Sequence, residues 1–188
     1  GAEHIPLATL APDLLCLTFN GLSKTYRVAG YRSGWLVITG PKKRAAGFLQ
    51  GIQLLASTRL CPNVPGQHAV QAALSGVQSI DALIAPTGRL HEQRDAAWEG
   101  LVAIPGVQCH RPQGALYAFP RLDPEVYEIH DDGRLVYDFL VAEHVLLVQG
   151  TGFNWPTPDH LRIVTLPEAR VLSEAIERLG NFLSSYRQ

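Results

Sequence analysis

The sequence predicts an α/β fold whose first half carries long helices and whose second half is a smaller α+β arrangement of short strands. Three observations predict it. Two apolar runs of strand length, residues 14–19 and 34–39, flank a polar loop. Long stretches after residue 42 place apolar side chains at helical spacing. Beyond Ile104-Pro105-Gly106 the texture changes to brief apolar segments between Gly/Pro turns. The boundary is expected near 88–105, giving domains 1–88 and 89–188 with a bridging helix at about 89–102.

The run at 14–19 is continuous, as in a strand buried on both faces of a parallel-type sheet. Pro41 suits the first turn of a helix running from Lys42 to about Ser57, with Phe48, Leu49, Ile52 and Leu55 on its apolar stripe. The segment 59–66, with two prolines, a glycine and an asparagine, breaks that helix. One long helix is expected from Gln67 to Ile84, and another from Arg89 to Val102. Strands are expected at 107–109, 115–119, 145–148 and 160–165. Asp131-Asp132 caps a helix at 133–143 with Leu135, Val136, Phe139 and Leu140 inward. A final helix after Pro167 carries the stripe Leu172, Ile176, Leu179, Phe182 and Leu183.

Composition narrows the function. Of 188 residues, 46% are hydrophobic and 18% charged, the pattern of a globular chain. A net charge of −1 gives no electrostatic reason for nucleic acid or an anionic membrane as partner. No apolar run approaches the roughly 20 residues of a membrane helix, and no secretory signal opens the chain. Cys16, Cys61 and Cys109 form neither a zinc pattern nor a disulfide framework, which suits core or near-core thiols in a reducing cytoplasm. The seven histidines show no ligand spacing, so no metal is expected.

The chemistry concentrates between the first two strands, in Phe19-Asn20-Gly21-Leu22-Ser23-Lys24-Thr25-Tyr26-Arg27-Val28-Ala29-Gly30-Tyr31-Arg32-Ser33-Gly34-Trp35. Lys24 is one of three lysines. A lysine desolvated at a sheet end becomes a free amine able to attack a carbonyl. An arginine such as Arg32 offers a phosphate two parallel hydrogen bonds, and Ser23 adds a neutral donor. An imine-forming lysine beside a phosphate-binding arginine describes a pyridoxal-phosphate pocket; an exposed basic loop is the plainer alternative. A Walker loop is excluded because Ser23 precedes Lys24 and Thr18 stands at the first glycine position. A Ser-x-x-Lys nucleophile would need serine at Gly21. His91-Glu92 is followed by Asp95, not the second histidine of a metalloprotease helix. Arg162, inside the apolar strand Leu161-Arg162-Ile163-Val164, is either a solvent-facing residue or a bidentate clamp for a carboxylate.

The run 19–35 resembles the cofactor-lysine signature of class I, fold-type I pyridoxal-phosphate aminotransferases. The likeness extends through 59–67, through Gly114-Ala115-Leu116-Tyr117-Ala118-Phe119-Pro120 and through 148–167, and is nearest to the bacterial glutamate–pyruvate (alanine) group. The resemblance implies a large-domain end (1–88) with a mixed sheet and helices, followed by the small domain (89–188). It implies pyridoxal 5′-phosphate as cofactor and transfer of an amino group between an α-amino acid and a 2-oxo acid. It implies that Lys24 forms the Schiff base and shuttles the proton, that Arg32 and, less directly, Ser23 hold the phosphate, and that Arg162 binds the substrate carboxylate. Tyr117 and Phe153 would lie near the pocket, and Arg59 in a loop approaching a neighbouring subunit of a homodimer. Arg27 and Ser33 depart from the usual small or apolar residues of the signature. The family's aspartate partner of the pyridine nitrogen and its glycine-rich phosphate turn lie further ahead of the lysine than this chain extends. The expectation is therefore the C-terminal portion of such an enzyme, needing the N-terminal portion as partner and nearly inactive alone. Two alternatives stay open: a class I enzyme for aspartate, aromatic or branched substrates, and a non-catalytic binding or dimerisation module.

Overall fold

The computed structural model describes residues 4–188, which form two compact units, one of residues 4–81 and one of Ala82–Gln188.

In the first unit a short helix, α1 (Leu7–Leu10), precedes β1 (Cys16–Gly21) and β2 (Gly34–Thr39). The two strands pair antiparallel in one register from Cys16↔Thr39 to Gly21↔Gly34. The parallel-type, doubly buried strand expected at 14–19 is thus corrected in both position and pairing. Asn20 and Gly21 continue the ladder because Trp35 and Gly34 lie opposite them. Phe19 is 74% exposed, so the apolar faces of this ladder are only partly covered by the described residues. The turn closing the base of the pair needs Gly40. Its φ is +80°, and a Cβ there would stand 2.0 Å from the Leu14 carbonyl oxygen.

A 3₁₀ turn at Lys43–Ala45 leads into α2 (Ala46–Thr58), so Pro41 precedes the helix by a full turn instead of opening it. No residue of α2 is buried, and the predicted stripe leaves Phe48 and Leu55 exposed. The helix expected at 67–84 is two helices, α3 (Val64–Ser75) and α4 (Ser79–Ile84). The first begins three residues earlier than expected. Asn63 caps it, accepting from Gly66 N at 3.2 Å, and Pro65 sits in the first turn, where its missing N–H costs nothing. The break follows Gly76, where the Gln78 side chain donates to the carbonyls of Ala73 and Gly76, both at 2.9 Å.

The second unit holds the main core. Helix α5 (Arg89–Ala103) packs on the last helix, α7 (Ala169–Ser185). Between them in sequence come β3 (Val107–Gln108), β4 (Tyr117–Ala118), β5 (Arg121–Leu122), α6 (Asp132–Glu143), β6 (Val148–Gln149) and β7 (Leu161–Val164). β3 pairs antiparallel with β5, which the sequence reading missed. β4 and β6 flank β7 in an antiparallel three-stranded sheet. The core gathers Leu101, Leu122, Leu135, Phe139, Leu161, Leu179 and Leu183. The α7 stripe is buried as the spacing predicts, and the Asp131 side chain caps α6 from Arg134 N at 2.9 Å. Leu140, expected inward, is half-exposed. Of the three thiols, Cys61 is exposed and not near-core; Cys16 and Cys109 are partly buried.

Candidate active site

The lysine loop, residues 22–33, is built around Leu22. That side chain is fully buried, the loop's one anchor in the core of the unit. Its N–H donates to the Ser33 carbonyl at 3.0 Å, and its own carbonyl accepts from Val28 N. Leu22, Tyr26, Val28 and Tyr31 face Ala69 and Ala73 of α3 across a small cavity of about 240 Å³. The start of α3 pins the far side of the loop. Asn63 Nδ2 donates to the Tyr31 carbonyl, and a Cβ on Gly66 would come within 2.3 Å of Ser33 Oγ. Gly66 is therefore a close-approach glycine, a role its Pro/Gly-rich neighbourhood concealed.

Arg27 and Arg32 both adopt left-handed backbone, with φ of 58° and 48°. That conformation is unfavourable for a residue with a Cβ and persists where surrounding bonds over-determine it. Arg27 is tied down as a structural residue, Nη2 to Ser79 Oγ at 2.7 Å and Nη1 to the Thr25 carbonyl at 3.2 Å. Arg32 is exposed and uses only Nη1, donating to the Ala29 carbonyl at 2.8 Å. The Lys24 side chain is exposed, so the desolvation expected for it is not supplied by the described residues. Among those residues neither the Lys24 amine nor the Ser23 hydroxyl has a hydrogen-bond partner. A lysine side chain and a hydroxyl left without protein partners among the described residues, and a guanidinium with spare donors, carried by one pinned loop, fit a phosphorylated aldehyde cofactor. Arg59 is exposed at the C-terminal end of α2.

In the second unit β7 alternates: Leu161 and Ile163 enter the core, while Arg162 and Val164 occupy the other face. Tyr117 lies opposite Val164 and therefore diagonal to Arg162 on that face. The Arg162 guanidinium stands 5.1 Å from the Tyr117 ring centre and 4.7 Å from that of Phe153. Its Nε is buried and has no hydrogen-bond partner among the described residues. A cation held between two rings keeps its edge donors for an anion, and an orphaned buried donor is costly unless something accepts from it.

The loop 150–160 supplies Phe153 and is held at both ends. Gly150 N donates to the His160 carbonyl at 2.8 Å, and Trp155 N to the Gly150 carbonyl at 3.3 Å. Asp159 accepts from Arg121 Nε, Trp155 Nε1 and Thr157 Oγ1 and lies 2.8 Å from His160 Nδ1. Burial opposes ionisation of Asp159, but those hydrogen bonds outweigh it and hold the carboxyl well below the usual carboxylate range. The rings of Trp155 and His160, both bonded to Asp159, pack against each other and against Phe119. The sequence reading passed over Asp159. Its only local sign was an acidic residue among Pro, Thr and Trp.

Residues 1–179 match the family model of aminotransferase class I and II. The chain belongs to that family. Class I and II aminotransferases depend on pyridoxal phosphate. An alanine aminotransferase of Mycobacterium tuberculosis is 70% identical over 187 residues, covering all of this chain and 44% of that protein. The glutamate-pyruvate aminotransferase AlaA of Escherichia coli is 59% identical over 187 residues, covering all of this chain and 46% of AlaA. Among solved structures, an Escherichia coli aminotransferase superimposes with a TM-score of 0.97 at 59% identity, over 100% of this chain and 46% of that one. An alanine aminotransferase from Pyrococcus furiosus gives 0.90 at 36% identity, over 99% and 46%. The chain thus spans somewhat under half the length of the aminotransferases it resembles.

Proposed function

We propose that this chain serves an aminotransferase that moves an amino group between an α-amino acid and a 2-oxo acid, with alanine/pyruvate and glutamate/2-oxoglutarate as the pairs. The observation that carries the reading is the Arg162 guanidinium, held between Tyr117 and Phe153 with a buried Nε that has no hydrogen-bond partner among the described residues. It suits a small organic carboxylate, the group that amino acids and 2-oxo acids share. Arg162 binds that carboxylate through its edge donors and orients the substrate. The two rings exclude water from its faces, which strengthens the ion pair. Arg32 and Ser23 hold the cofactor phosphate. Lys24 would hold the cofactor and, once its amine is released, would move the proton at the substrate α-carbon. When bound, pyridoxal phosphate supplies the electron sink that stabilises negative charge at that carbon.

The similarity to alanine and glutamate-pyruvate aminotransferases supports the substrate assignment. In this reading residues 1–88 complete a cofactor-binding large domain, and 89–188 form the small domain. The working enzyme is a cytoplasmic homodimer that includes an N-terminal portion besides this chain. The 188-residue chain alone has little or no activity.

Borohydride reduction of the cofactor-loaded enzyme, followed by peptide mass mapping, tests the reading. The expected result is covalent cofactor on the peptide containing Lys24 and none after Lys24→Ala. A cofactor mass on any other lysine, or none at all, would sink it and favour a non-catalytic module.

A further inference from the structure

The carboxylate of Asp132 lies outside the chemistry assigned so far, yet it is 2% exposed. It is not needed as the cap of α6, because the Asp131 side chain already fills that place. Both of its oxygens go to a single residue of another element. Oδ2 accepts from the Thr151 backbone N–H at 2.9 Å, and Oδ1 accepts from Thr151 Oγ1 at 2.5 Å. Thr151 belongs to the 3₁₀ turn Gly150–Phe153, which ends on Asn154 in left-handed backbone with φ of 59°. That turn carries the Phe153 ring to the Arg162 guanidinium.

The two walls around Arg162 are held in unlike ways. Tyr117 is fixed by the β4–β7 ladder, in register with Val164. Phe153 has no ladder of its own and is half-exposed, so its position follows the short turn that bears it. A buried carboxylate is costly unless each oxygen is bonded, and a negative charge is favoured at a helix start. α6 therefore offers a stable place for a two-point clamp on that turn.

We propose that Asp132 is a positioning residue: through Thr151 it holds Phe153 against Arg162 and so sets the orientation and desolvation of the carboxylate-binding guanidinium. The functional consequence rests on Arg162 being the carboxylate clamp, as read above. Loss of the clamp loosens one of the two rings on the cation. Carboxylate affinity then falls about fivefold to tenfold, between the losses expected for an exposed and for a fully desolvated cation–π contact, as suits a half-exposed ring. Chemistry at the α-carbon, assigned to other residues, changes little.

The test compares Asp132→Ala and Thr151→Val with the conservative Thr151→Ser in the complete, cofactor-loaded enzyme. Two readouts are taken. The first is the Arg162 Nε–H resonance in ¹⁵N-arginine-labelled protein, displaced by the ring currents of Phe153 and Tyr117. The second is the split between KM for alanine and kcat. For Asp132→Ala and Thr151→Val the resonance is expected to move most of the way to its position in Phe153→Ala. KM rises fivefold to tenfold with kcat within about twofold, as for loss of binding shared by ground and transition states. Thr151→Ser, which keeps the hydroxyl, stays near the parent in both. An unmoved resonance in Asp132→Ala and Thr151→Val overturns the proposal. A moved resonance with unchanged KM upholds the positioning role and refutes Arg162 as the carboxylate clamp. If Asp132→Ala fails to fold, Thr151→Val carries both readouts alone.

Discussion

Arg162 and Lys24 carry the same charge in opposite settings. Arg162 is walled by two rings and has a buried donor to satisfy, whereas Lys24 stands exposed in the loop that joins β1 to β2. The first is prepared for an anion by its own unit, while the second depends on its ligand for desolvation. Asp159 shows the opposite economy, one carboxylate serving several donors to fix the loop beside Arg162. Because its folded pKa is depressed below the unfolded value of about 3.9, its contribution is present above pH 4 and is lost as pH falls through the folded value. Asp159→Asn should therefore cost about 2 kcal/mol at pH 7, in line with hydrogen bonds to a charged acceptor. The gap to the parent should narrow steadily below about pH 4. Urea midpoints at pH 7 and pH 3 check this, and an equal gap at both would show that ionisation of Asp159 contributes nothing.

At the scale of elements, the lysine loop depends on a helix start. Asn63 caps α3 and at the same time donates to the Tyr31 carbonyl, so one side chain joins helix initiation to loop shape. Asn63→Ala should destabilise the first unit by about 1–2 kcal/mol, the cost of a lost cap and a lost hydrogen bond to the loop. It should also open residues 22–33 to limited proteolysis. A variant as protease-resistant there as the parent would show that Leu22 and the Arg27–Ser79 bond suffice to hold the loop without Asn63. The sheet of the second unit works differently. Its short strands fix Tyr117 beside Arg162 by register, so strand pairing places one wall of the site and a 3₁₀ turn places the other.

On the scale of the whole molecule the two units differ in how much they bury. Residues 82–188 gather an extensive core, from Leu101 to Leu183. In residues 4–81 only Leu22 is a buried large hydrophobic, and Leu54, Leu55, Leu60 and Val77 are exposed, Val77 at 99%. Local stability follows buried apolar contact. In hydrogen exchange on the 188-residue chain, amides of α5 and α7 should therefore be the slowest, and those of α2 should exchange many-fold faster. Slow exchange throughout α2 would mean that its apolar side is covered in solution, for example by a second copy.

The sequence by itself determined the residues able to do chemistry and the elements whose period is strong. The helices α5, α6 and α7 follow from 3.6-residue spacing, with the Asp131 cap marking the start of α6, and the family from the run around Lys24, because these signals are local in the chain. The antiparallel pairing of β1 with β2, the break between α3 and α4, and the strand β5 with its pairing to β3 were not legible. The pairings depend on partners distant in sequence, as when Trp35 opposite Asn20 lengthens β1 beyond its apolar run, and the break depends on which carbonyls the Gln78 side chain takes. Only the tertiary structure decided that Gly66 is a contact glycine, that Arg27 ties the loop to Ser79, and that Arg162 lies between Tyr117 and Phe153. A residue's chemical type is written in the chain. What it can do is set by the desolvation and hydrogen-bond partners that folding brings from elsewhere.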